Sequence, residues 1–279
     1  MATTGTTTTS VGSIAAIWRY PVKSMRGEEL DEGEITERGL LGDRSYALID
    51  VETGKVVSAK NPRKWGNLFE FQSTVLESPS HLEAIPAALI TLPDGSSVRT
   101  DDPGVEERLS ALLGWTVRLA SSPPPASRIE GYWPDYDWLE ARDKTFHVDL
   151  PTGTFFDGSL LHFITTATLE RLSSLSPQSR FDVRRFRPNF IIEVPDHTAG
   201  FVEDAWVGRT IAIGDEVRLM VTHPCPRCVM TTLPQGELPK DPNVLRTAVQ
   251  HNQGNVGVNA SVSRGGRIRR GDAVGVERS

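Results

Sequence analysis

The stretch His223-Pro224-Cys225-Pro226-Arg227-Cys228-Val229-Met230-Thr231-Thr232 holds both cysteines of a 279-residue chain. Two thiols are too few for a disulfide scaffold, so a Cys-x-x-Cys flanked by Pro and Arg asks for a chemical reason, and soft metals and redox work are the candidates. Thiolate is the form that binds a metal or attacks an electrophile, and Arg227 places a guanidinium next to it in sequence. Two blander readings stand beside these: a pair of small buried hydrophobes, or half of a zinc site. A full zinc site needs two more ligands. There is no second Cys pair, and the histidines at 82, 147, 162, 197, 223 and 251 lack zinc-finger spacing. A thioredoxin-like pair opens a helix in a βαβ setting, whereas this one follows a strand-like run. No Gly-x-Gly-x-x-Gly, P-loop or Gly-x-Ser-x-Gly supports nucleotide or serine-hydrolase chemistry.

Three further clusters carry donors: Lys23-Ser24 after Tyr20-Pro21-Val22, Gly42-Asp43-Arg44, and Arg185-Phe186-Arg187-Pro188-Asn189. Lys and Arg with a hydroxyl and an amide suit a phosphate, which has several acceptor oxygens, and a polar heterocycle, whose edge needs paired donors and acceptors. The run Arg184-Arg185-Phe186-Arg187 is expected to hold one anionic ligand with its fork-shaped donors. Taken singly, Lys23 and Arg44 read as solvated surface charges, and Arg187-Pro188-Asn189 as a turn before a strand. His162 and His223 lie near these groups and are candidates for proton relay, although a satisfied imidazole is the simpler expectation.

Short strands dominate the elements that must position these residues. Ile14, Ala16 and Trp18 alternate; Tyr46 to Asp50 reads as a strand; Ala88 to Leu92 leads into a Pro93-Asp94-Gly95 hairpin signal. After Asp102-Pro103, an Asp cap and early Pro precede Val105, Leu109, Leu112 and Leu113 at helical spacing, with Gly114 as the stop. The segment 121–128, rich in Pro and Ser, is expected to be a linker. Tyr132 to Trp138 is read as a loop packed by its rings, with a partner or substrate surface as the alternative. A second helix fits Thr168 to Leu175, and strands fit Phe190 to Val194 and Arg209 to Val221, the latter broken at Gly214-Asp215. Ile268 to Val274 repeats that phrase as a last hairpin. Trp18, Trp65, Trp115 and Trp206 are expected in the core. The fold class is therefore mainly β with a few helices (α+β), in two β-barrel-like modules. The organisation is a disordered lead over 1–12, a first module over 13–120, the linker, and a second module over 129–279.

Hydrophobic residues at 38%, charged residues at 24% and a net charge of −6 are ordinary for a soluble globular chain and argue against general nucleic-acid binding. No apolar run is long enough to span a membrane, and Met1 to Ser10 has neither a basic start nor an apolar block, so a cytoplasmic location without membrane association is expected.

Taken in order, these phrases resemble the MOSC-domain proteins, named for the C-terminal domain of molybdenum cofactor sulfurases. The likeness is carried by Tyr20-Pro21-Val22-Lys23-Ser24, Gly39-Leu40-Leu41-Gly42-Asp43-Arg44, Phe186-Arg187-Pro188-Asn189, Pro224-Cys225-Pro226-Arg227-Cys228 with Thr231-Thr232, and Gly257 to Val274. The chain is similar to the two-part group with an N-terminal MOSC-associated β-barrel domain, that of the mitochondrial amidoxime-reducing component and its bacterial relatives. The resemblance implies a molybdenum–molybdopterin cofactor (Mo cofactor) whose metal is held by Cys228, the catalytic residue, with Cys225 not a ligand. It implies cofactor contacts at Lys23, Ser24, Arg44, Asp157, Gly158, Ser159, Arg187, Asn189, Pro226, Arg227 and Asn259. Gly158 replaces a hydroxyl residue of the amidoxime reducers, and Pro226 a polar one. Pyridoxal phosphate binding is associated with the family at large only. The function implied is reduction of N-oxygenated small molecules with electrons from a separate electron-transfer protein, since no further cysteines exist to bind an iron–sulfur cluster. The alternatives are a persulfide-bearing or cofactor-carrying protein without reductase activity, and a non-catalytic barrel whose cationic pocket holds another phosphate.

Overall fold

The computed structural model describes residues 8–77, 79 and 86–277. Its largest element is a closed seven-stranded barrel. In spatial order the strands are Phe190–Glu193, Leu161–Thr165, Asn255–Arg264, Val217–Pro226, Thr210–Ile213, Ala273–Glu277 and Thr8–Arg19, and the last returns to pair with the first. Closure leaves the barrel no exposed edge among these strands. Alternate residues point inward, so Ile14, Ile17, Phe163, Phe190, Ile211, Leu219 and Val258 fill its interior. The helix Thr166–Leu175 starts where the Thr165 hydroxyl accepts from the Thr168 amide. A helix at Pro242–Asn252, capped by Asp241, was not legible in the sequence reading.

The other module is a set of smaller sheets: Ala47–Asp50 with Val117–Ala120, Arg128–Trp133 with Lys144–Asp149, and the meander Gln72–Val75, Ala88–Thr91 and Ser97–Arg99. Its core gathers Val22, Leu48, Trp65, Phe69, Phe71, Ile90 and Leu109. Val229, Met230 and Leu233 belong to the same core although they follow the cysteines in sequence. The turn after Cys228 is therefore a plug from one module into the other.

Several expectations need correction. The lead over 1–12 falls partly on residues 1–7, outside the described residues, while Thr8 to Gly12 extend the first barrel strand and pair with Val274 to Glu277. The modules are not consecutive along the chain, because the strand Thr8–Arg19 hydrogen-bonds into the barrel and Glu32–Thr36 pairs with Gly266–Arg269. The segment 121–128 joins Val117–Ala120 to Arg128–Trp133 and so lies within a module rather than between two. Tyr132 and Trp133 end a strand rather than starting a loop, whereas Tyr136 and Trp138 do stack, at 5.1 Å between centroids. Trp115 is 42% exposed and covers the Lys64 ammonium instead of entering the core. The helix Val105–Leu113 begins at Gly104 in the left-handed region, and the Asp102 carboxylate instead accepts from the Arg99 amide.

Candidate functional site

The barrel strand that carries Cys225 and ends at Pro226 slips register against its neighbour between Arg218 and Leu219, between Val221 and His223 and between Pro224 and Pro226, and the two prolines have no N–H to give the ladder. The Arg227 amide makes the last tie, to the Gly254 carbonyl at 2.8 Å. A short 3₁₀ turn, Val229–Thr232, follows at once. Thr231 Oγ1 donates to the Cys228 carbonyl at 3.0 Å and Thr232 Oγ1 to the Val229 carbonyl at 2.8 Å, which gives both buried threonines a role. The Arg185 guanidinium, fully buried, clamps the far side by donating to the carbonyls of Thr231 and Leu233 at 3.2 Å and of Pro239 at 2.7 Å. The backbone of Cys228 is thus fixed, while both cysteine side chains are half-buried rather than sealed.

Cations gather opposite. Lys23, buried, donates to the Phe155 carbonyl at 2.6 Å and forms an ion pair with Asp157. Asp157 also takes Lys60 at 2.9 Å. Burial works against the Asp157 charge, but the two lysines outweigh it and hold the carboxyl well below the usual range. Burial pulls the Lys23 ammonium down to about 8 despite that partner. For Lys60 burial has the same sense, yet the Asp157 carboxylate and then the Cys228 sulfur keep it above its ordinary value. Lys60 is the site residue that the sequence reading missed; only its place just before Asn61-Pro62 marks it, and that signals a turn rather than a site.

Tyr20 lies between two guanidiniums, with Arg187 4.1 Å and Arg44 5.1 Å from its ring centroid. Arg44 is ion-paired to Asp43, and Arg187 donates to the Met25 carbonyl at 2.6 Å. Burial, and then the neighbouring Arg44, draws Arg187 down to about 10. Ser24, Arg44 and Arg187 all have positive φ, at 66°, 48° and 55°. Such backbone persists in non-glycine residues only where the surroundings over-determine it, which is common at binding sites.

All twelve residues that the sequence reading singled out line one cleft of about 340 Å³, together with Lys60, His162, His223 and Cys225. Their roles within it differ from expectation. Asn189 spends its amide on Asp43 Oδ2 at 2.9 Å and the Trp18 carbonyl, and accepts from the His162 amide, so it braces the wall. Ser24 Oγ accepts from the Ala59 amide at 3.1 Å and keeps its own proton to donate. The Asn259 amide meets His223 at 3.0 Å. Gly158 is exposed, and a side chain there would meet nothing within 4 Å. Ser159 is half-buried beside it, and Pro226 is exposed at the rim. Arg227 turns from Cys228: Nη1 donates to Cys225 Sγ at 2.9 Å and Nη2 to the Phe186 carbonyl at 2.6 Å. Its Nε is buried without a partner. Nor does the arginine run act as a unit. Arg184 pairs with Asp182 and Glu237, Arg185 clamps backbone, and Arg187 alone presents its charge beside Tyr20. Among the described residues no three His, Cys, Asp or Glu side chains converge as a metal site, so a metal on Cys228 would draw its other ligands from a bound group.

A closed β-barrel joined to a smaller strand-rich module, with a cationic cleft holding a fixed, accessible thiol between them, defines a class of two-part barrel proteins. Family models agree: the MOSC domain matches residues 151–275 and the MOSC N-terminal beta barrel domain residues 11–75, so the chain belongs to the MOSC-domain proteins. It is similar to mitochondrial amidoxime reducing component 2 of Rattus norvegicus, 26% identical over 80% of this chain and 67% of that one. It is also similar to mitochondrial amidoxime-reducing component 1 of Homo sapiens, 27% identical over 80% of this chain and 66% of that one. The chain thus spans about two thirds of the length of these relatives. Among solved structures, YuaD of Bacillus subtilis matches over 98% of this chain and 99% of its own, with 11% identity and a TM-score of 0.48. YiiM of Geobacillus stearothermophilus matches over 43% and 55%, with a TM-score of 0.31. Among the described residues no helix is long and apolar enough to cross a membrane.

Proposed function

We propose that this cleft binds a molybdenum–pterin cofactor, with the Cys228 thiolate as the protein's ligand to the metal, and that the protein reduces N-oxygenated compounds using electrons from a separate protein. The observation that carries the reading is the convergence of Lys23, Lys60, Arg44, Arg187 and Arg227 on the cleft that Cys228 lines, where among the described residues Asp157 lines the cleft and Asp43 pairs with Arg44 behind it. That surplus of positive charge suits a phosphate, and the unpartnered buried Nε of Arg227 is a donor that an acceptor oxygen or ring nitrogen would satisfy. When bound, the cofactor supplies the electron- and oxygen-transfer chemistry that no side chain here can provide. The chain's own part is to hold and orient. Arg44 and Arg187, stiffened by Tyr20, would take the phosphate; Lys23 and Ser24 would add donors; and the Thr231-Thr232 turn holds Cys228 in place. The names of the amidoxime-reducing relatives support N-oxygenated substrates, and this chain is proposed to share that substrate class.

Metal and pterin analysis of protein made in a cofactor-competent host tests the reading. About one molybdenum and one pterin per chain, lost in Cys228→Ser, is the expected result. Metal-free protein carrying labile sulfane sulfur would overturn it in favour of a sulfur carrier, a reading to which the second thiol in the cleft, Cys225, lends support.

A further inference from the structure

His162, Asn259 and His223 stand side by side on three neighbouring barrel strands. Asn259 is the register partner of His162 on one side and of His223 on the other, and all three line the cleft. The two imidazoles have opposite surroundings. His162 is 8% exposed, with Nε2 3.1 Å from the Val256 carbonyl and the Arg227 guanidinium 3.5 Å away. Burial, and then that guanidinium, pushes it down to about 3, so its ring is neutral and shut away. Gly257 keeps it there, since any side chain at that position would press on His162 Nε2 and the Phe163 carbonyl. His223 is exposed, and Asn259 Nδ2 lies 3.0 Å from its Nε2. An amide NH₂ can only donate, so Nε2 accepts and the ring proton of the neutral imidazole rests on Nδ1.

We propose that His223 donates a hydrogen bond from Nδ1–H to the oxygen that leaves the N-oxygenated substrate, stabilising the negative charge that builds there, and that Asn259 is a positioning residue that holds the ring in the Nδ1–H tautomer. The inference rests on the reductase reading of the cleft. Reduction of R–NH–OH to R–NH₂ and water breaks the N–O bond and consumes an electron pair, supplied by the electron-transfer protein, and two protons. One proton completes water on the departing hydroxyl and the other goes to nitrogen. Both protons come from solvent, which His223 reaches and His162 does not, and the His223 N–H stabilises the departing oxygen until it is protonated. The sequence reading grouped the two histidines; their exposure separates them.

The tautomer is read in ¹⁵N-labelled protein without cofactor. Two-bond ¹H–¹⁵N correlations should show His223 protonated at Nδ1, and Asn259→Leu should move that proton toward Nε2. A wild-type ring protonated at Nε2 overturns the proposal. In cofactor-loaded protein, His223→Leu should lower kcat about 100-fold with KM and molybdenum content within about two-fold, and His223→Gln, which keeps an N–H donor, should restore part of the rate. Asn259→Leu should lower kcat by about ten-fold, and His251→Gln, on an exposed helix end, should change nothing. An unchanged kcat in His223→Leu sinks the role of this residue and leaves the reductase reading intact. A wild-type protein that holds no molybdenum sinks both.

Discussion

Around Tyr20, the cleft is built from loops in which Ser24, Arg44 and Arg187 sit at positive φ and the cations already have partners: Lys23 with Asp157, Arg44 with Asp43, Arg187 with the Met25 carbonyl. On the barrel side, His162, His223, Cys225 and Asn259 stand on extended strands, and two of them, His223 and Cys225, remain open to some degree. The difference is one of purpose. Cations paired in this way are fixed in advance, so an anion meets them without a large ordering cost, which is what binding needs. Strand residues with free atoms facing a cleft can exchange protons or ligands, which is what chemistry needs.

The contrast can be broken first at sulfur. Cys228→Ser is expected to cut molybdenum retention by at least about ten-fold, with Cys225→Ser keeping most of it, as measured by elemental analysis; equal losses would mean that the two thiols act together. Next comes the cationic cluster. Arg187→Met should weaken binding of inorganic phosphate or cofactor by about 10- to 100-fold, the equivalent of one charge-assisted bond of roughly 1.5–3 kcal/mol, read by calorimetry. No change would show that the guanidinium over Tyr20 is structural only.

Smaller effects sharpen the picture. Asp157→Asn removes the carboxylate shared by Lys23 and Lys60. Phosphate affinity should rise a few-fold while the melting temperature falls by a few degrees, on the order of 1 kcal/mol because the carboxylate is partly open to solvent. The folded-state value of Asp157 is depressed, so its contribution is present above the unfolded carboxylate pKa of about 3.9 and fades as pH falls below it; the Asn variant should lose that part of the acid sensitivity. Lys23, drawn down to about 8, carries its charge below that pH and loses it above. Phosphate affinity of the cofactor-free protein should therefore decline as pH rises through about 8, and a flat titration between pH 7 and 9 would remove Lys23 from the binding set. The least effect is expected from Gly158→Ser, whose side chain enters open space: stability within about 0.5 kcal/mol of wild type in denaturant titration.

Much of the fold was legible because its signals are local. Pro93-Asp94-Gly95 marks a hairpin and Gly114 ends a helix wherever they occur, and both do so here. The cleft was legible as a set of residues, since Lys23, Arg44, Arg187 and Cys228 line it together. Their pairings were not. Adjacency of Arg227 and Cys228 in sequence pointed to a contact, but the strand that ends at Pro226 turns alternate side chains apart, and the guanidinium reaches Cys225 instead. Lys60 carried only the turn signal of the following Asn61-Pro62. The domain cut at 121–128 failed because proline richness reports a break in hydrogen bonding, not which sheet the flanking strands join.

The amino-acid order alone determined the chemical inventory: a lone thiol pair, a few forked cations, and the short strands and turns that carry them, all set by side-chain type and by preferences that act over a few residues. Only the tertiary structure decided that the Val229–Thr232 turn enters the core of the other module, that Lys60 meets Asp157, and that one histidine faces solvent while its neighbour is sealed. Those outcomes depend on barrel closure, which brings together segments far apart in the chain, and burial and charge pairing act on distance in space rather than in sequence.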